Sequence, residues 1–314
     1  GLMEDKYIEF LLENTGIKNK EDILSKYQEE SKFRTYCEDD KIIGFVGANI
    51  RDLNYKAREY KSTFIADSIV IKDRRREGIY TNLYREFENQ VKNELMYALP
   101  LQYELINLVD KQDYKIVGEV NAYAKILDPS NVTSNGIFTF IAKIINSISN
   151  LRTKKIAYSG FDVKDDLDLS QVDELFDKVK ADFGFMAKRS GEWISNRINN
   201  RPNYKFISTH KDGIEGYIIY KEIDKADLKY YMVMDILYTN EEALESMYDH
   251  FIKKAKDEKV NLIGIWKNPK TSKLIKNKSF QNAKSSFPLV VKSDLSEVLN
   301  INEWYLQPIE GETY

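Results

Sequence analysis

The chain has one cysteine and two histidines in 314 residues, and its 47 basic side chains are almost balanced by 50 acidic ones. Each shortage removes a class of protein. A single cysteine, Cys37, excludes an internal disulfide and fits a reducing compartment. Two histidines, His210 and His250, cannot build a His-rich metal centre, so no metal is expected. A net charge of -3 supplies no basic field for a nucleic-acid partner. Long apolar runs are also missing. The most apolar stretch, 136–148, is broken by Lys143 and falls short of the roughly 20 residues a bilayer requires. Its spacing through Ile137, Phe140, Ile141, Ile144, Ile145 and Ile148 is that of an amphipathic core helix, so no membrane contact is expected. Gly1 and Leu2 before Met3 read as a cloning remnant, the mixed charges after them are no signal peptide, and the expected location is cytoplasmic.

Aromatic residues are abundant: 21 Tyr, 15 Phe and 3 Trp argue for well-packed cores rather than disorder. The length suits about two domains. The first half predicts a helix over 21–30 and strands over 33–37 and 42–48 joined by a turn at 38–41. A long central strand over 62–71, a charged turn over 72–78 and a helix over 79–94 follow. A strand over 95–99, a helix over 102–111 and a strand over 114–127 complete that half. Turn formers in 128–136 mark a linker. The second half predicts mostly helix over 170–199, with a cap at Ser170 and breaks near Gly184 and Gly191. Strands over 204–209, 214–221 and 230–238, a helix over 241–256, a strand over 261–266 and a helix over 271–276 come next. The same order of elements recurs without residue-level repetition, which predicts domains at 1–128 and 151–314 with a linker and bridging helix over 129–150.

Chemistry concentrates in 67–84, where a hydrophobic strand ends, Arg74, Arg75, Arg76 and Gly78 form a turn, and a helix begins. The first amides of a helix lack intrahelical acceptors and sit at the positive end of its dipole. A glycine there permits the close approach of phosphate oxygens, and flanking arginines add charge and fork-shaped contacts. The plain alternative is a solvated charge run closed by an ordinary turn. A Walker loop and a three-glycine dinucleotide fingerprint are both excluded by the residues present.

The stretch resembles the acetyl-CoA-binding motif of the GNAT superfamily of N-acetyltransferases, Arg/Gln-x-x-Gly-x-Gly/Ala between the fourth strand and the third helix. Arg75 and Gly78 match, and Tyr80 replaces the last small residue. The element order over 1–127 is similar too. The run Trp193-x-x-x-Arg197-x-x-x-x-Pro202-x-Tyr204 and the tail 304–314 are similar to C-terminal halves in one polysaccharide-associated subgroup.

The resemblance implies an α/β (α+β) fold of two GNAT-like domains, each a mixed, mostly antiparallel central sheet flanked by helices. It implies acetyl-CoA as co-substrate, with pantetheine along Val70, Ile71 and Lys72 and pyrophosphate on Arg75, Arg76, Gly78, Ile79, Tyr80 and Thr81. The acceptor would be an amine on a small molecule or sugar derivative, attacking the thioester directly. Asp67 is the candidate base. The family's usual Tyr falls near Leu108 or Val109 and its Asn near Leu101, so Tyr103 stands in as acid only if the register differs by about a turn and a half. Those departures leave a second expectation open: a catalytically weak or inactive CoA-binding or interaction protein. A third, transfer from an aminoacyl-tRNA, is opposed by the lack of a basic stripe. In the second half, Glu241 and Glu242 fall where an anion would need Arg and Gly, so that half reads as a copy without a cofactor site.

Overall fold

The computed structural model describes residues 4–27, 30–91, 95–100, 112–128, 160–198, 201–225 and 228–311. The bridging helix expected over 137–150 and the helix expected over 102–111 lie outside these residues, as does Tyr103.

Helices α1 (Asp5–Asn14) and α2 (Lys20–Lys26) precede strands β1 (Ser31–Glu38), β2 (Lys41–Tyr55) and β3 (Arg58–Val70). Helix α3 (Ile79–Val91) then leads to β4 (Leu95–Ala98) and β5 (Lys115–Ile126). The second half runs through β6 (Asp162–Lys164), α4 (Val172–Val179), β7 (Met186–Ala187), α5 (Gly191–Ile198), β8 (Tyr204–His210), β9 (Ile214–Lys225) and β10 (Leu228–Tyr238). It ends with α6 (Glu241–Asp257), β11 (Leu262–Lys267), α7 (Ser272–Asn277), β12 (Gln281–Ser293) and the short α8 (Pro308–Gly311).

The expected mixed, mostly antiparallel sheet flanked by helices is present, and strands from both halves share it. Its order is β1-β2-β3-β4-β12-β5-β11-β10-β9-β8-β6, with β7 on β2. Only β3–β4 and β10–β11 pair in parallel among the described ladders. Each parallel pair encloses a helix, α3 or α6, as a parallel connection requires. The final strands are then exchanged: β5 lies against β11, and β12 enters between β4 and β5. Neither half completes its sheet without the other.

Alternation along β2 sends neighbouring side chains to opposite faces. Phe45 packs with Ile8, Phe10, Leu11, Ile23 and Tyr27 of the α1–α2 region. Val46 and Ala48 pack with Leu83, Tyr84 and Phe87 of α3. A larger cluster joins the halves through Phe64 and Tyr97 on one side and Phe185, Trp304 and Tyr305 on the other.

Three expectations need correction. Within 170–199, mostly helical and broken near Gly184 and Gly191 as expected, a short strand, β7, separates α4 from α5, and Asp168 rather than Ser170 caps the 3-10 turn before α4, accepting from Ser170 N. Gly184 and Gly191 each bring backbone against backbone, against Glu303 and Leu169, so the chain turns there. Strands β2 and β3 extend well past their predicted ends. They close on Lys56 and Ala57, both at positive φ, a turn built without the usual Asn or Gly. None of the described helices is long and apolar enough to cross a membrane.

Candidate active site

Strands β3 and β4 pair from Ser62↔Leu95 to Ile65↔Ala98 and then part. Beyond Ile65, β3 continues to Val70 with β2 on one side and, among the described residues, no strand on the other. An extra residue in β3, Ala66, sits where the parting begins: Ala48 pairs with Ile65 but Gly47 pairs with Asp67. A bulge of this kind bends a strand and ends its pairing. The result is a backbone edge over 66–69 that pairs with no strand on that side among the described residues and points at the turn before α3.

That turn is braced from behind. Ile71 N donates to Ile43 O at 3.0 Å, and a single 3-10 turn, Lys72–Arg74, follows. Arg74 donates to Glu77 through Nε at 2.9 Å and to Glu38 on β1 through Nη2 at 2.9 Å. The Arg74 guanidinium, helped by the Tyr36 hydroxyl, holds the Glu38 carboxyl at about 2. Arg74 is thus a structural tie rather than an anion ligand. Arg75 Nε donates to Val70 O at 3.1 Å, fixing the base of its side chain, while Arg75 and Arg76 remain exposed. Val70 O is therefore already engaged by Arg75.

Arg76 and Gly78 both take positive φ, +75° and +79°. A Cβ on Gly78 would meet nothing within 4 Å, so the glycine opens space over the turn. Asn82 N donates to Gly78 O at 3.2 Å, the first bond of α3. The amides of Gly78, Ile79, Tyr80 and Thr81 consequently lack intrahelical acceptors. No acidic residue stands in the first turn of α3. Ile79 is buried in the core and offers only its amide. Tyr80 stacks on Tyr84 at 5.6 Å and leans toward Ser68, and burial pushes its phenol up to about 12.

The equivalent junction in the second half differs in each of these respects. Asn240 accepts from Ala243 N and so caps α6 with its own side chain. Glu241 and Glu242 occupy the first turn, where they repel an anion.

Asp67 lies at the bulge, but both of its oxygens are occupied. Lys26 Nζ donates to Oδ1 at 2.9 Å, and the Tyr27 hydroxyl donates to Oδ2. The pair is nearly enclosed, with 8% and 12% of the Lys26 and Asp67 side chains exposed. Burial, then the Asp67 charge, pushes the Tyr27 phenol well up from its ordinary value. A Cβ on Gly47 would stand 2.5 Å from Tyr27 Oη, so glycine is what admits the phenol there.

Residues that no local pattern marks gather on the same side as Phe64. Arg189, fully buried, donates Nε to Asp235 at 2.9 Å and Nη2 to Glu310 at 2.8 Å. Burial works against its charge, and Asp235 and Glu310 outweigh that and hold it protonated. Tyr217 adds a hydroxyl to Asp235 at 2.8 Å. Arg51 Nη2 donates to Glu310 O at 2.8 Å, and Arg197 Nη2 reaches the same carbonyl at 3.3 Å. The two segments singled out in the second half, around Trp193–Arg197 and 304–314, therefore meet: Arg197 also lies 5.2 Å over the Trp193 ring. Sequence offered one hint, an aspartate at 235 inside the apolar run 230–238. Met232 and Met234 in that run are buried core residues. A cavity of about 170 Å³ between Tyr55, Phe183, Lys270 and Trp304 lies at the other end of β2 from the turn.

Residues 3–118, which contain the turn, match the model of the acetyltransferase (GNAT) family. Over those residues the chain is similar to the GNAT family. No curated protein matches the chain in sequence at a significant level. In three dimensions the chain is similar to a GCN5-related N-acetyltransferase from Anabaena variabilis, with a TM-score of 0.66, 13% identity, and coverage of 95% of this chain and 71% of that one. A conserved protein of unknown function from Enterococcus faecalis gives 0.63 and 14%, over 92% and 70%. Saccharomyces cerevisiae N-myristoyltransferase with bound myristoyl-CoA gives 0.60 and 13%, over 91% and 79%. At these identities the likeness is one of fold, and it extends across both halves. The GNAT family and fold are those of N-acyltransferases. Among the described residues no group of three or more His, Cys, Asp or Glu side chains is arranged to hold a metal.

Proposed function

We propose that this protein is an acyl-CoA-dependent N-acyltransferase that moves an acetyl or other acyl group to an amine of a small molecule or sugar derivative. The observation that carries the reading is the run from the unpaired edge of β3 over 66–69 into a glycine-opened start of α3, with no acidic residue in its first turn, flanked by exposed Arg75 and Arg76. A pantetheine arm, an alternation of amides, suits an unpaired strand edge. A pyrophosphate suits four amides without acceptors at a positive helix end. Gly78, Ile79, Tyr80 and Thr81 supply the amides, and Arg75 and Arg76 supply charge.

The acceptor nitrogen attacks the thioester carbonyl directly, so no nucleophilic side chain is required. An amide from the bulged stretch of β3 polarises the carbonyl as negative charge develops on its oxygen. The second half supplies the wall opposite the splay through Glu310 and its arginines, which gives it a use without a cofactor turn of its own.

Acetyl-CoA incubated with the protein and a panel of primary amines tests the reading through thiol release. Amine-dependent release supports it. A folded protein that neither binds acetyl-CoA nor releases thiol contradicts it. One observation favours a second reading, a CoA-binding protein with little or no turnover: Asp67 has both oxygens committed to Lys26 and Tyr27. Binding without release with any amine would select it.

A further inference from the structure

Buried polar atoms from three separate elements come together around Glu310 without hydrogen-bond partners. They are Nε and Nη1 of Arg51 on β2, Oη of Tyr97 on β4 and Oε2 of Glu310 on α8. Their proximity is fixed by several contacts. Arg51 is anchored to the Glu310 carbonyl at 2.8 Å and lies 4.3 Å over the Phe64 ring. Phe64 in turn packs at 5.2 Å from the Tyr97 ring. The Tyr97 phenol is pushed up to about 12, chiefly by burial, with the charges of Arg51, Glu310 and Arg189 all acting on it.

Native interiors seldom leave such groups unmet, because the lost hydration is not returned. Here a donor, a phenol and a carboxylate oxygen converge, which is the complement of a small group that both donates and accepts. Their position matters as much as their chemistry. Phe64 precedes Ile65, the last β3 residue paired with β4, so the cluster lies at the root of the splay. The carboxylate is also held in a fixed orientation: its Oε1 is tied to Arg189, which is locked by Asp235.

We propose that Glu310 is the base of the transfer reaction, reached through an ordered water held by Tyr97 and Arg51. This rests on the acyltransferase reading above. The ammonium proton of the acceptor passes through the water to Oε2. The freed nitrogen forms its bond to the thioester carbon, and the carbon–sulfur bond breaks. The proton left over on nitrogen ends on the sulfur to give the free thiol, and Glu310 returns its own proton to solvent. The charged or titratable groups facing the carboxylate are Arg189, Arg51, Tyr97 and, through the main chain, Arg197, with Asp235 and Tyr217 behind Arg189.

Two variants test it, assayed with acetyl-CoA and three amine probes, spermidine, glucosamine and a glycyl peptide. Tyr97→Phe deletes a hydroxyl that interacts with the Arg51 guanidinium, so a purely structural role predicts a modest change in thermal stability and unchanged transfer. Our assignment predicts that same modest change and unaltered acetyl-CoA affinity with kcat/KM for the amine reduced about tenfold or more. Glu310→Gln is expected to lose about 10²–10⁴-fold in kcat/KM for the amine with acetyl-CoA affinity unchanged. Should Glu310→Gln fail to fold, Tyr97→Phe decides. Wild-type kcat/KM and pH profile in a folded Tyr97→Phe variant overturn the assignment of Glu310 while leaving the transferase reading intact. A wild-type protein that binds no acetyl-CoA and acylates none of the three probes overturns both.

Discussion

Replacing Asp67 by Asn removes the anion from a pair whose cation, Lys26, has 8% of its side chain exposed. An ammonium left without its partner in such a place costs about 3–5 kcal/mol, most of it the uncompensated charge. Asparagine keeps an acceptor for the Tyr27 hydroxyl, so that contact is weakened rather than lost, and the lower part of the range applies: about 3 kcal/mol. At roughly 2–4 °C per kcal/mol for chains of about this size, the melting temperature should fall by roughly 6–12 °C. Thermal unfolding followed by circular dichroism reads this directly. Adding Lys26→Met to the same chain removes the stranded ammonium and should recover most of the loss, since apolar replacement of a buried pair is often neutral. Transfer rate, measured at a temperature where each variant stays folded, should change little. An Asp67→Asn protein that melts like the wild type and transfers about 10²-fold or more slowly would refute the clamp and make Asp67 the base.

Gly184→Ala places a Cβ well inside van der Waals distance of the Glu303 backbone carbonyl, which also accepts from Phe185 N at 2.6 Å. Tyr305 N returns a bond to Phe185 O, so neither chain can yield, and a loss of about 3 kcal/mol is expected in urea unfolding; a midpoint matching the wild type would contradict it. The Tyr80 phenol, held neutral to about 12, ionises later in the folded chain than in the unfolded one, whose tyrosines titrate near 10. Stability conferred below pH 10 is therefore lost as pH rises from about 10 to about 12, by a few kcal/mol at most for this residue. Tyr80→Phe should flatten that part of the stability–pH curve, and an unaltered curve would contradict the assignment.

The parts of the fold that could be read in the sequence are those whose cause is local. The β-rich run that became the centre of β3, the arginine–glycine turn and the apolar spacing of α3 each carry their signal within a dozen residues. Strand β12 carries none: its first part is polar, Pro288 interrupts it, and its extended form comes from insertion between β4 and β5. In 170–199 the breaks at Gly184 and Gly191 were legible, and both glycines admit backbone contacts, but β7 was not, since its two residues are extended by pairing with β2. The candidate site divides in the same way. The amides of the turn were legible from Gly78 and its neighbours. Arg51 and Glu310 were not, since a bond spanning 259 positions has no sequence periodicity. Asp67 was placed correctly along the strand, but its engagement by Lys26 and Tyr27 depends on how α2 packs, which the strand alone does not determine.

Calorimetric titration of acetyl-CoA into the wild type, Gly78→Ala and Gly78→Glu tests most directly whether the turn before α3 holds the co-substrate. Alanine controls for the backbone, since its Cβ meets no neighbour and only the φ of +79° is strained. Glutamate adds a negative charge beside the expected pyrophosphate. At about 5 Å and an effective dielectric between 20 and 80, that repulsion is roughly 1–3 kcal/mol for each phosphate charge. Saturable binding by the wild type, modest weakening in Gly78→Ala and a loss of roughly 100-fold or more in Gly78→Glu are the predicted result. Equal affinity in all three folded proteins, or no binding by the wild type, would contradict the account.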